Sequence, residues 1–239
     1  MNDLAMNSNH PNPNIEVKQL SFIKRLIGIV LSPEETMKTL AQKPRFLFPF
    51  LAVGLGMLLL YLIRYPLYVD YLRMVSETAI AQQNTQVTPE QLEASLKFGT
   101  IFGLVFTPIG AIAMWLILTG VMFVGTKILK GEGSFKQFMS ITGYAYVIMI
   151  LYFILSAGVS FFSGELMLNT TLGIFVPDLK GSYLYGFLRS IDLFNIWYYV
   201  VMSIGVLTIS KLSKTKAYAM MTVIYLTSVV IGAFSAKSL

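Results

Sequence analysis

Five stretches of this chain are long, apolar and free of charged side chains: Phe46–Ile63, Phe98–Thr126, Ile141–Phe162, Leu193–Ile209 and Ala217–Phe234. Polar segments rich in Lys, Gln, Asn, Gly and Pro separate them. Hydrocarbon offers the backbone no hydrogen-bond partner, so a chain crossing a bilayer does so as a helix or as a closed barrel. The runs are too long for barrel strands and lack alternation. Each predicts a helix, and about 20 such residues cross a hydrocarbon core of about 30 Å. The second run contains Pro108. Splitting it there leaves two halves too short to span, so one helix kinked at the proline is expected. The predicted fold is all-α: a polytopic membrane helical bundle of about five transmembrane helices, preceded by short interfacial helices.

The segment ahead of the first run carries its own helix signals. Phe22-Ile23-Lys24-Arg25-Leu26-Ile27 mixes bulky apolar side chains with adjacent cations, a pattern suited to the headgroup boundary. Ser32-Pro33-Glu34-Glu35 reads as a helix start, with Ser32 as the N-cap, Pro33 as first helical residue and Glu35 closing a capping box. That helix, about 33–42, places Met37 and Leu40 on one face and is stopped by Pro44. Thr88-Pro89-Glu90-Gln91 repeats the signal and leads into the second run. Segments 64–87 and 163–192 read as loops, and Gly131-Glu132-Gly133 as a turn. Three regions follow: a disordered cytoplasmic tail over 1–19, interfacial amphipathic helices over 20–45, and the five-span domain over 46–239.

Charge gives the bundle a direction. Of the 18 Lys and Arg residues, twelve fall in 18–45, 127–136 and 211–216, the connections on one side of a five-span layout. Cations near spans stay cytoplasmic, which predicts the N-terminus inside and the C-terminus outside. The expected location is a bacterial cell membrane. The basic residues flank apolar runs and form no separate basic domain, which argues against nucleic-acid binding. There is no cysteine, and His10, the one histidine, lies in the polar tail. Disulfides, thiolate chemistry, His–Cys metal sites and Ser-His-Asp catalysis are therefore excluded. No Walker loop, His-Glu-x-x-His or intramembrane carboxylate pair is present, so no enzyme activity, cofactor or metal is expected. Residues 1–18 hold no apolar run of the kind a secretory signal needs.

The candidate contacts are correspondingly few. Arg64, Arg189 and Asp192 stand at span ends, where long side chains reach the headgroups. Arg189 and Asp192, three apart, could pair along a helix. Asn195 is the most polar side chain near a span core, suited to bonding a neighbouring helix. Tyr144 and Tyr146, and Trp197, Tyr198 and Tyr199, fit an aromatic belt, with Tyr144 also a candidate partner contact. Small residues four apart (Gly99 with Gly103, Ser156 with Ser160, Gly232 with Ala236) would let helix backbones approach closely. A polar pathway through Asn195, Thr142, Ser156 and Thr208 would make the chain a small transporter or channel instead. A lipid-surface role for Phe22–Lys43 is a third reading.

Several local motifs carry a resemblance. Leu31-Ser32-Pro33-Glu34-Glu35-Thr36 with Lys43-Pro44, Lys130 to Phe138, Thr142-Gly143-Tyr144-Ala145, and Ile191-Asp192-Leu193-Phe194-Asn195-Ile196-Trp197 together resemble the Yip-domain family. These are the Ypt/Rab-interacting membrane proteins and their bacterial relatives, and the likeness to the bacterial type covers about Leu31 to the C-terminus. It implies a five-span, non-enzymatic scaffold that binds the lipid bilayer and another membrane protein, such as an ABC-type exporter or trafficking machinery, or itself. The family often places proline soon after Gly-Tyr-Ala. Here Tyr146, Val147 and Ile148 stand there, so a straighter third span is expected.

Overall fold

The computed structural model describes residues 20–83, 86–163 and 168–236. The tail over 1–19, with His10, lies outside them. Among the described residues the chain forms ten α-helices and two 3-10 turns. The helices are α1 (Phe22–Leu31), α2 (Pro33–Gln42), α3 (Leu47–Ile63), α4 (Tyr65–Gln83), α5 (Pro89–Ile128), α6 (Phe135–Ala145), α7 (Val147–Ser163), α8 (Tyr183–Arg189), α9 (Leu193–Ser210) and α10 (Lys214–Ala236).

Among the described residues four segments are long and apolar enough to cross a membrane: α5, α6 running on into α7, α9 and α10. The first apolar run is the exception. Helix α3 has 17 residues, about 26 Å at the helical rise. It qualifies only together with α2, from which it is bent by 119°. The bundle thus has four spans, or five with α2–α3 as a broken one, and it is an integral membrane protein.

Local signals explain most boundaries. At Thr88 the full capping box forms: the hydroxyl accepts from Gln91 N–H and the Gln91 side chain accepts from Thr88 N–H. Helix α5 then runs unbroken for 40 residues with Pro108 inside it. Ser134 and Gln137 make a second capping box at the start of α6. Ser32 differs from expectation. It stands at the N-cap of α2, but its side chain makes no cap bond. Its carbonyl instead accepts from the Thr36 hydroxyl at 3.1 Å. The third span runs from α6 into α7 past a one-residue break at Tyr146, with no proline there. Segment 64–87, expected as a loop, is mostly α4. This helix lies against α5, to which Arg73 reaches Glu93 at 2.7 Å. That hydrogen bond raises the Arg73 pKa above its ordinary value.

The core sits where α2, α6 and α9 meet. Met37 and Leu40 share a face, as their spacing predicts, and with Phe138, Ile141, Met202 and Val206 they are fully buried. Helix α2 is therefore part of the bundle interior and not merely laid on its surface. Helix α1 is apolar on two sides. Ile29 is buried against the bundle, while Ile23, Ile27 and Leu31 form an outward stripe. One end of the bundle gathers α1, α2 and the 129–134 and 211–213 connections, where Glu132 N–H donates to the Ser210 carbonyl and Lys211 pairs with Glu132. The other end gathers α4, α8 and the 3-10 turns.

At Gly205 an added Cβ would stand 3.0 Å from Ile141 and 3.2 Å from the Met37 sulfur. Gly205→Val forces these helices apart. It is expected to destabilise the detergent-solubilised protein by about 1–3 kcal/mol, read as a lower melting midpoint.

Candidate functional site

The polar side chains of the bundle interior collect at two levels. The first is built on Thr142-Gly143-Tyr144-Ala145, all four of them buried. Thr142 Oγ1 accepts from Trp115 Nε1 at 2.9 Å and lies 2.8 Å from Thr119 Oγ1. The carbonyls of Trp115 and Phe138, one turn back on each helix, take the proton not shared between the hydroxyls. Trp115, Thr119 and Thr142 are almost wholly buried, where an unmet donor is costly. Gly143 makes this contact between α5 and α6 sterically possible and admits α3 as well. A Cβ there would stand 2.2 Å from Pro49 Cβ and 2.9 Å from the Trp115 ring. Tyr144, next along, packs against Phe48 at a centroid distance of 5.4 Å. The Arg25 guanidinium lies 5.8 Å from its ring centre. Four consecutive residues thus bind three other helices: α5, α3 and α1.

The second level lies toward the other end. Arg64 closes α3 and turns inward instead of reaching for headgroups. It is 8% exposed, and its Nη2 donates to Ser156 Oγ at 2.7 Å. Ser156 Oγ also accepts from Leu168 N–H at 2.7 Å. Tyr152 Oη donates to the Leu168 carbonyl at 2.9 Å. Asp192 accepts from the Thr170 hydroxyl and from Asn195 N–H. This knot fastens the 168–171 stretch onto α7 and α9.

The structure separates most of the candidates read from sequence. Arg189 ends α8, while Asp192 is the N-cap of α9, so the two do not share a helix and no ion pair joins them among the described residues. Asn195 lies in the first turn of α9, where its backbone N–H receives the Asp192 cap. Tyr198 and Tyr199 are buried and packed edge-to-face inside the bundle rather than lying in a belt, because Tyr146 and Tyr225 close over them. Gly103 receives Tyr61, whose hydroxyl donates to the Thr100 carbonyl at 2.7 Å. Gly99 faces Leu72 of α4 instead, so the pair serves two neighbours. Gly232 lies against Ser190 at the end of α8. The side chains of Ser160 and Ala236 lie outside the described residues. Sequence reasoning missed Trp115 and Thr119. Their four-residue spacing placed them on one face of the second run, but nothing in it named Thr142 as the opposite partner.

Residues 27–236 match the model of the Yip1 domain. The chain is 31% identical over 146 residues to an uncharacterized protein of Methanocaldococcus jannaschii, a match covering 61% of this chain and 94% of that protein. It is 24% identical over 212 residues to membrane protein YknW of Bacillus subtilis, covering 88% of this chain and 89% of that one. No solved structure matches the chain.

Thr142→Val leaves Trp115 Nε1 buried without its acceptor and is expected to cost about 1–3 kcal/mol. Adding Trp115→Phe removes the stranded donor. The double variant is expected to melt closer to the wild type than the sum of the two single losses, a coupling that a double-mutant cycle in detergent measures.

Proposed function

Since the chain belongs to the Yip1 domain family, we propose that it is a non-enzymatic scaffold, an accessory protein that binds another integral membrane protein through its outward helix faces. The observation that carries this reading is how polar and apolar groups are divided. The Thr119, Thr142 and Ser156 hydroxyls, the Trp115 N–H and Arg64 bond to one another and to backbone, whereas α5 turns an ordered apolar face outward. Along that face Phe98, Phe102 and Phe106 are exposed and form a ladder, with centroids 6.1 and 4.1 Å apart. Aromatic side chains at such a face suit protein contact as well as lipid. The partner class we favour is an ABC-type exporter in a prokaryotic cell membrane. Relatives from a bacterium and an archaeon favour that setting over vesicle traffic.

A transporter reading draws less support. Thr142 bonds across to α5, Ser156 serves Arg64 and Leu168, and the Thr208 hydroxyl donates to its own helix at Ile204. Asn195 stands apart from all three, in the first turn of α9. The four do not converge on one path.

Affinity purification in mild detergent is expected to bring down a stoichiometric membrane partner. Phe102→Ala, on an exposed face, is expected to weaken that recovery without moving the melting midpoint. A chain that brings down no membrane partner overturns the proposal. The orientation, N-terminus inside, has its own test, made clean by the absence of cysteine. In intact cells Lys180→Cys is expected to react with a membrane-impermeant maleimide, and Lys214→Cys only after permeabilisation.

A further inference from the structure

The cationic end of the bundle contains a built cavity. Its walls come from α1, the turn between α2 and α3, and α6, and it is an open cleft of about 460 Å³. Arg25, Arg45 and Lys136 line it together with Tyr144, Phe22 and Phe46, and none of the described carboxylates does. Lys43 stands beside Arg25 and Arg45 around a second, much smaller cavity. Converging like charges repel one another, and an anion at their centre relieves that repulsion.

The cationic wall is fixed in place. Arg25 is 7% exposed, and its Nε is buried with no hydrogen-bond partner. The turn carrying Arg45 is held to α6, because Arg45 N–H donates to Ser140 Oγ at 3.0 Å and that hydroxyl donates to the Arg45 carbonyl at 3.2 Å. Lys136 holds its ammonium 5.8 Å over the Phe46 ring. A buried guanidinium with an unmet N–H beside further cations is the donor set that takes a phosphate group.

We propose that this cavity binds the phosphate headgroup of an anionic glycerophospholipid. Free phosphate offers the same charge, but the rim favours a lipid. Phe46, Leu47, Phe50 and Leu51 are all exposed where α3 begins, and acyl chains lie along them while the headgroup turns in toward Arg25. The outward stripe of Ile23, Ile27 and Leu31 on α1 borders the same boundary. The lipid then acts as a structural element: it neutralises the cluster and joins α1, the α2–α3 turn and α6.

The test uses the full chain in mild detergent with three probes: dioctanoyl phosphatidylglycerol, the matching phosphatidylcholine, and inorganic phosphate. Binding is read by native mass spectrometry and by the melting midpoint. Phosphatidylglycerol is expected to bind about tenfold or more tightly than phosphatidylcholine, and to raise the midpoint where the other two do not. The double variant Arg45→Gln/Lys136→Gln changes two exposed side chains, so it spares the core. It is expected to lose that preference, while Lys97→Gln/Lys180→Gln at the opposite end keeps it. Equal binding of the two lipids, or an unchanged preference in Arg45→Gln/Lys136→Gln, overturns the proposal. So does an equal rise in midpoint with inorganic phosphate, which would assign the cavity to a free ion.

Discussion

A polar group inside a bilayer has only the protein to bond to, and the rest of this structure follows from that constraint. The Trp115 indole, the Thr119 and Thr142 hydroxyls, Ser156 and Arg64 are all buried, and each is met by another interior group or by backbone. Helix association in lipid draws little from the hydrophobic effect, because lipid tails are as apolar as leucine. What holds α3, α5 and α6 together is therefore close backbone approach at Gly143 and at Gly103, where Tyr61 packs, and a few hydrogen bonds beside them. The Gly-Tyr-Ala segment so has a direct physical meaning. Its glycine gives room, the threonine before it supplies an acceptor, and its tyrosine provides a ring for α1 to close upon.

The same division explains why the outer faces look as they do. Helix α5 is long, mostly exposed and apolar, with its polar atoms turned to one side. Such a helix is stable only where hydrocarbon or another protein covers it. The phenylalanine ladder is the part of this face that the proposed partner would cover. The cationic cavity is where the proposed lipid would seat its headgroup. On these two proposals one molecule would meet protein through α5 and lipid through the turn before α3.

Much of the architecture was legible in the sequence because membrane helices follow from one average property. The apolar runs, the uninterrupted passage through Pro108, the capping box at Thr88 and the bounds of the helix after Ser32 all came from local rules. Helix α4 escaped those rules. Its composition is polar and Gln-rich, and its position is set by tertiary contacts with α5. The buried state of Arg25 and Arg64 escaped for a related reason. Position along the chain says that a cation stands near a span end, but not whether it turns outward or in. The tyrosines after Trp197 misled in the same way, since a belt and an aromatic core look alike in one dimension. The site residues were half visible. Thr142, Gly143 and Tyr144 stood out, while Trp115 and Thr119 became meaningful only once α5 and α6 were set side by side.

The burial of α2 has a consequence for how the protein is made. Met37 and Leu40 find their cover on α9, which begins about 150 residues further along the chain. A ribosome adding roughly 5–20 residues per second would take about 8 to 30 s to reach it. Throughout that interval the amino-terminal helix has only the part of its cover that α1 and α6 supply, and the earlier spans must wait in the bilayer with their inner groove open. Closure is thus a late event in biosynthesis, and a nascent chain cut short before α9 would carry a greasy, unclaimed surface of the sort that quality-control proteases seize.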